Sequence, residues 1–279
     1  MIEFFEAFRD VPLIRYAFYA GIVSSLTFGV VGSFVVTRRI GYIAAAIAHS
    51  ILGGIGASFY LARTYGWESW CTPMLGAVIA ALLSAAVIGW VSLMAKERED
   101  TIIGAIWAFG MAVGLLFIHY TPGKAVNLES FIFGNILLTS KGDVIATVIL
   151  GAIVLTLIAL FYHKLVAVCF DEEFARLRGV SSKAYYLLLL GITAISMVLL
   201  VRLAGIILSL ALIVLPAATA SKFSRRLWVI MLIAVGLSIF YNVGGLVVSY
   251  QMELPTGPLI VVVGSVFYGL SFLLTRRKS

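Results

Sequence analysis

The sequence predicts an all-α polytopic membrane protein, and three observations carry that prediction. The chain of 279 residues is 62% hydrophobic, with a mean hydropathy of +1.10. Only 12% of its residues are charged, about half of what soluble domains carry. Its apolar residues fall into runs long enough to cross a bilayer as helices, which takes about 20 residues each. No linker or low-complexity stretch divides the chain, so residues 1–279 read as one transmembrane domain. The N-terminus MIEFFEAFRDVPLIRY is acidic and interrupted, unlike a basic-then-apolar leader, so no cleaved signal is expected.

Nine spans are expected, near 16–37, 42–62, 73–94, 102–119, 144–162, 184–201, 205–221, 227–249 and 258–275. The second is rich in small residues: Ala44, Ala45, Ala46, Ala48, Ser50, Gly53, Gly54, Gly56, Ala57 and Ser58. In lipid, helices associate by close contact rather than by hydrophobic drive, so this span belongs at the centre of a bundle. Gly110 and Gly114 place a GxxxG on the fourth span. Residues 128–138 (LESFIFGNILL) are apolar but too short to span, which suggests a short interfacial or re-entrant outer half-helix. The weakest boundary is Arg202-Leu203-Ala204, between the sixth and seventh spans.

Between the fifth and sixth spans, residues 171–179 read as a complete miniature helix. Asp171 can cap its N-terminus, Glu172 and Glu173 suit the positive end of the dipole, Arg176 and Arg178 the negative end, and Gly179 the stop. Glu172 and Arg176 are spaced for a helical ion pair, and Phe174 and Leu177, three residues apart, form a small apolar face. Such an element between spans suggests a docking site for a soluble partner.

Orientation follows from the basic residues. With the loop after the first span in the cytoplasm, the inner segments hold 14 of the 20 Lys and Arg, among them Arg38, Arg39, Lys164, Lys222, Arg225 and Arg226. The N-terminus is then outside, and both the C-terminus and the 171–179 helix are cytoplasmic. The net charge of +7 reflects this topology, so no nucleic-acid partner is expected. Cys71 and Cys169 fall near opposite surfaces, so no internal disulfide is expected.

No acidic side chain lies inside any expected span, which disfavours a stand-alone ion-coupled carrier or channel, the alternative reading. His49 is the one ionisable residue well inside a span, about seven residues, or on the order of 10 Å, from its inner end. It reads either as a metal or substrate ligand or as a neutral histidine bonded to a neighbouring helix. One imidazole does not make a zinc site, which normally takes four ligands, although a symmetric dimer would bring two copies to one axis. His119 and His163 sit at span ends, and Asn242 reads as an interhelical hydrogen bond. The chain has no GxxxxGK[ST], so any ATP that powers it binds a second protein, and no pattern marks the chain as an enzyme.

Four segments together resemble the permease subunits of zinc/manganese/iron-type metal ABC importers. They are Gly32-Ser33-Phe34-Val35-Val36-Thr37-Arg38-Arg39 leading into Ala48-His49-Ser50, the 171–180 segment, GIILSLALIVLPAATA from Gly205 to Ala220, and Leu246-Val247-Val248-Ser249-Tyr250 followed by Leu254-Pro255-Thr256-Gly257-Pro258. They run in family order over nearly the whole chain. The resemblance implies a type II, cobalamin-importer-like fold in the bacterial inner membrane. It implies a cytoplasmic ATP-binding subunit dimer, an extracytoplasmic metal-binding protein, and a second permease copy or paralogue. It makes Asp171, Glu172, Glu173, Phe174, Ala175, Arg176, Leu177 and Gly179 the ATPase-coupling segment and His49 the transit ligand. The chain departs from the family at Ala45, where an Asp usually stands four residues before the histidine. Affinity then resides in the binding protein, or another residue substitutes, or the cargo is a different ion or a chelate. Ala48-His49-Ser50 looks closer to zinc-type members, and a sparse nitrogen site ligates zinc more strongly than manganese, so zinc is expected over manganese or iron.

Overall fold

The computed structural model describes residues 8–67, 69–94, 99–123, 134 and 139–275. The helices are α1 (Pro12–Thr37), α2 (Gly41–Tyr65), α3 (Pro73–Met94), α4 (Glu99–Tyr120), α5 (Lys141–Phe170), α6 (Glu172–Leu177), α7 (Ser182–Ala220), α8 (Leu227–Met252) and α9 (Thr256–Thr275). Among the described residues, the eight other than α6 are long and apolar enough to cross a membrane. The expected half-helix at 128–138 lies almost wholly outside the described residues.

Local chemistry sets several of the ends. Pro12 occupies the first turn of α1, where its missing N–H costs nothing. Gly66, at φ 70°, ends α2 in the left-handed region that glycine enters without penalty. At the start of α5, Ser140 and Asp143 cap each other reciprocally: the Asp143 N–H donates to Ser140 Oγ, and the Ser140 N–H donates to the Asp143 carboxylate.

The sixth and seventh expected spans appear as one run of 39 residues, α7, which leaves helical geometry only at Gly205 (φ 76°, ψ 172°). At 1.5 Å per residue such a run measures roughly 58 Å, close to twice the hydrocarbon thickness, so it carries the length of two crossings. The separation falls at one glycine rather than in a loop at 202–204. Nothing polar enough to need water lies there except Arg202.

The chain forms two compact units. One contains α1, α5 up to Thr156, α7 from Leu199, α8 and α9; in it α8 packs along α1 and against α9. The other contains α2, α3, α4, α5 from Leu157, α6 and α7 up to Val198; in it α2 packs against both α3 and α4.

Candidate transport and coupling sites

The small residues of α2 are used on both sides, as a central helix requires. A Cβ placed on Gly56 would lie 2.5 Å from the main-chain oxygen of Gly114, and one on Gly53 would lie 3.0 Å from that of Gly110. On the other side, Gly54 meets the backbone of Gly76 with no room for a side chain. Backbone-to-backbone contact of this kind replaces the hydrophobic drive that lipid does not provide. Ser50 donates to the Ala46 carbonyl at 2.8 Å and also lies 3.4 Å from the carbonyl of Ile106 on α4.

This packing fixes the backbone that carries His49. The imidazole is half-buried and stacks on Trp107 of α4, with ring centroids 4.3 Å apart and planes 28° apart. Its Nδ1 lies 2.8 Å from the carbonyl oxygen of Ala45 one turn back. A carbonyl only accepts, so Nδ1 is the protonated nitrogen. In the neutral ring, Nε2 then keeps its lone pair for a ligand. Position 45 is itself buried and meets the ring through its main-chain carbonyl. Among the described residues no three His, Cys, Asp or Glu side chains come together as a metal site. Among the described residues, the geometry leaves the Nε2 lone pair of His49 as a single available ligand atom, its ring held in orientation by a stack and a main-chain bond. His119, in the last turn of α4, is exposed, and His163 on α5 is exposed as well. Asn242 is an interhelical tie: its Nδ2 donates to Ser25 Oγ of α1 at 2.8 Å.

The 171–179 segment folds as its sequence dictates. Asp171 Oδ1 accepts from the Phe174 N–H at 2.9 Å, capping α6. Gly179 takes φ 74°, and the bonds Gly179 N–H to Arg176 and Val180 N–H to Ala175 close a complete Schellman stop. Ser182 Oγ ties the following helix to the Glu172 carbonyl. Ala175 is fully buried and seats the turn. Glu172, Glu173, Phe174, Arg176 and Leu177 are exposed, Phe174 by 48% and Leu177 by 87%, and the Arg178 guanidinium lies 4.9 Å from the Phe174 ring centre. A rigid, charged turn that exposes two large apolar side chains has the form of a contact element.

One relationship escaped the sequence reading. Arg202, three residues before the break in α7, pairs with Asp143 at 2.5 Å. Gly134, at φ 65°, lies so close to the backbone of Ala204 and Gly205 that no Cβ fits. The Ser140-x-x-Asp143 spacing signals the cap, but nothing in the sequence links it to Arg202, 59 residues away.

Among the described residues, eight long apolar helices, glycine-mediated packing and a capped exposed turn make a multi-pass helical membrane protein. The chain belongs to the ABC 3 transport family, whose model matches residues 10–275. A "Probable metal transport system membrane protein" of Chlamydia muridarum is 39% identical over 265 residues, covering 95% of this chain and 90% of that protein. The "Manganese transport system membrane protein MntC" of Halalkalibacterium halodurans is 28% identical and covers 99% of this chain and 91% of its own length. The solved structure of PsaBC from Streptococcus pneumoniae in complex with Fab superposes with a TM-score of 0.86 at 28% identity, covering 98% of this chain and 95% of that one. The structure described as "an inward-facing conformation of a putative metal-chelate type ABC transporter" shares the fold at 15% identity, with a TM-score of 0.72 over 94% of this chain and 85% of its own. The fold is that of a type II ABC permease.

Proposed function

We propose that the chain is the membrane-spanning subunit of an ATP-driven importer of a divalent transition metal. The observation that carries the reading is near full-length similarity to permeases named for metal transport, joined to the exposed, capped α6. The whole chain acts as one permease domain, paired with a second copy or a paralogue in the bacterial plasma membrane. It receives metal from an extracytoplasmic binding protein. The N-terminus is outside, and α6 meets a cytoplasmic ATPase dimer. Closure of that dimer on ATP moves α6 as a lever, and the spans alternate between outward- and inward-open states. ATP chemistry belongs to the partner; this chain holds and releases cargo.

His49 is the transit ligand, and its weak hold suits a path from which an ion must also leave. Two considerations about the metal pull apart. A lone imidazole preceded by Ala48 favours zinc. Relatives named for manganese favour manganese, which is therefore the first ion to test. Isotope uptake and metal-dependent growth of a deletion strain decide between them, and iron is the third arm. The coupling role is tested by Glu173→Lys and Phe174→Asp, which are expected to abolish uptake at unchanged membrane abundance. Uptake equal to that of the parent chain would remove α6 from the drive mechanism.

A further inference from the structure

The turn between α7 and α8 carries a feature that transport does not use. Ser221 to Arg226 form a short ordered connection: the N–H groups of Lys222 and Phe223 bond back to Thr219 and Ala220, and the Arg226 N–H bonds Ser224 Oγ. The Lys222 ammonium is already engaged, lying 3.0 Å from the Phe272 ring centre and 5.4 Å from that of Tyr268 on α9. Arg225 and Arg226 are exposed and pair with no acidic side chain among the described residues. Phe223 and Trp228, on either side of the arginines, are exposed by 54% and 53%. Leu227 and Ile230 are buried, and Ile230 packs with Ala217 and Ala220, so the start of α8 is fixed and cannot swing these groups inward.

Two unpaired guanidiniums between two exposed aromatic rings, where two spans end, match the chemistry of a lipid headgroup layer. Aromatic rings settle at that depth, and guanidinium pairs with phosphate in a bidentate fork. We infer that the 222–228 turn is a binding site for anionic phospholipid headgroups. The aromatic flanks favour a lipid over an acidic protein surface, because they place the arginines at the edge of the hydrocarbon. The inference needs only the membrane fold, and it stands whichever metal is carried.

The test uses the full chain in vesicles of brominated phosphatidylglycerol or brominated phosphatidylcholine, with Trp228→Phe subtracted to isolate the Trp228 signal. Two nearby arginines are expected to enrich the anionic lipid on the order of 10-fold at low salt. Trp228 should therefore be quenched more by the brominated glycerol lipid, and Arg225→Gln/Arg226→Gln should erase the difference. Equal quenching by both lipids in the parent chain overturns the proposal. So does a double variant that keeps the lipid preference while losing co-purification of the ATPase, since the turn would then be a protein contact. Should the double variant not fold, high salt on the parent chain replaces it: a preference that survives overturns the proposal, and one that collapses supports it.

Discussion

The Nδ1 of His49 donates to the main-chain oxygen of Ala45 at 2.8 Å, so the nitrogen left for a ligand is Nε2. The same bond, with the Trp107 stack, orients the imidazole with no carboxylate at position 45. It also defines what one added carboxylate would do. Ala45→Asp places a buried acid one turn before the histidine, which should destabilise the metal-free protein by roughly 2 kcal/mol or more. A divalent metal should restore that loss, because the acid and the imidazole then share a ligand. The measurement is thermal unfolding of the purified variant with chelator and with manganese or zinc. A melting temperature indifferent to metal would mean that positions 45 and 49 do not share a metal ion.

Helix α2 should tolerate no growth at its contacts with α4. Gly56→Ala would set a methyl 2.5 Å from the Gly114 oxygen, so the helices must part. Overpacking of this kind costs about 1–3 kcal/mol. Gly104 and Gly191 also lie within helices, but a Cβ at either meets nothing within 4 Å. Alanine at those two positions should be neutral or raise stability by up to about 1 kcal/mol. Unfolding of the four single variants Gly56→Ala, Gly114→Ala, Gly104→Ala and Gly191→Ala in one detergent tests the contrast. Equal losses at all four would refute close packing as the cause.

What the sequence makes legible and what it hides divide by range. The spans are readable because apolar runs alternate with polar turns, and α6 is readable because Asp171 and Gly179 act within their own turn. The small-residue face of α2 also predicts its central packing, since contact in lipid selects for size alone. Arg202 signals a junction between the sixth and seventh spans, but that the chain breaks at Gly205 rather than looping at 202–204 is hidden, because a glycine in an apolar stretch can be helical or not. The Trp107 stack on His49 and the Arg202 pair with Asp143 are hidden for another reason: each joins side chains more than fifty residues apart. The His49 tautomer follows from a local bond to Ala45, whereas the stack that holds the ring comes from Trp107 on another helix.

The cap of α5 and the Arg202 pair share one carboxylate, so their contributions should not add. Ser140→Ala should cost about 1 kcal/mol through the lost cap. Asp143→Ala should cost more, because it removes both the return bond to the Ser140 N–H and the pair with Arg202. Arg202 is 45% exposed and Asp143 16%, so solvent screens the pair, and its own coupling should stay under about 1 kcal/mol. A double-mutant cycle on Arg202→Ala and Asp143→Ala reads that coupling, which should shrink in high salt. A coupling that salt leaves unchanged would point to packing rather than charge.

The stability of α6 and its outward contact can be separated by choosing residues with one role each. Gly179 is left-handed at φ 74°, but a Cβ there meets nothing within 4 Å, so the cost of Gly179→Ala is backbone strain alone, about 1–2 kcal/mol. Gly179→Asn should cost less, since asparagine enters this region more readily. Asp171→Ala should remove about 1 kcal/mol of cap. These three variants should lower metal uptake in proportion to the helix they melt, read by protease sensitivity of the 171–179 segment. Phe174→Asp should behave differently: its ring is half exposed, so the turn should survive intact while uptake fails. If uptake in Phe174→Asp fell only as far as protease protection fell, the exposed ring would be a bystander and the lever would act through the backbone of α6.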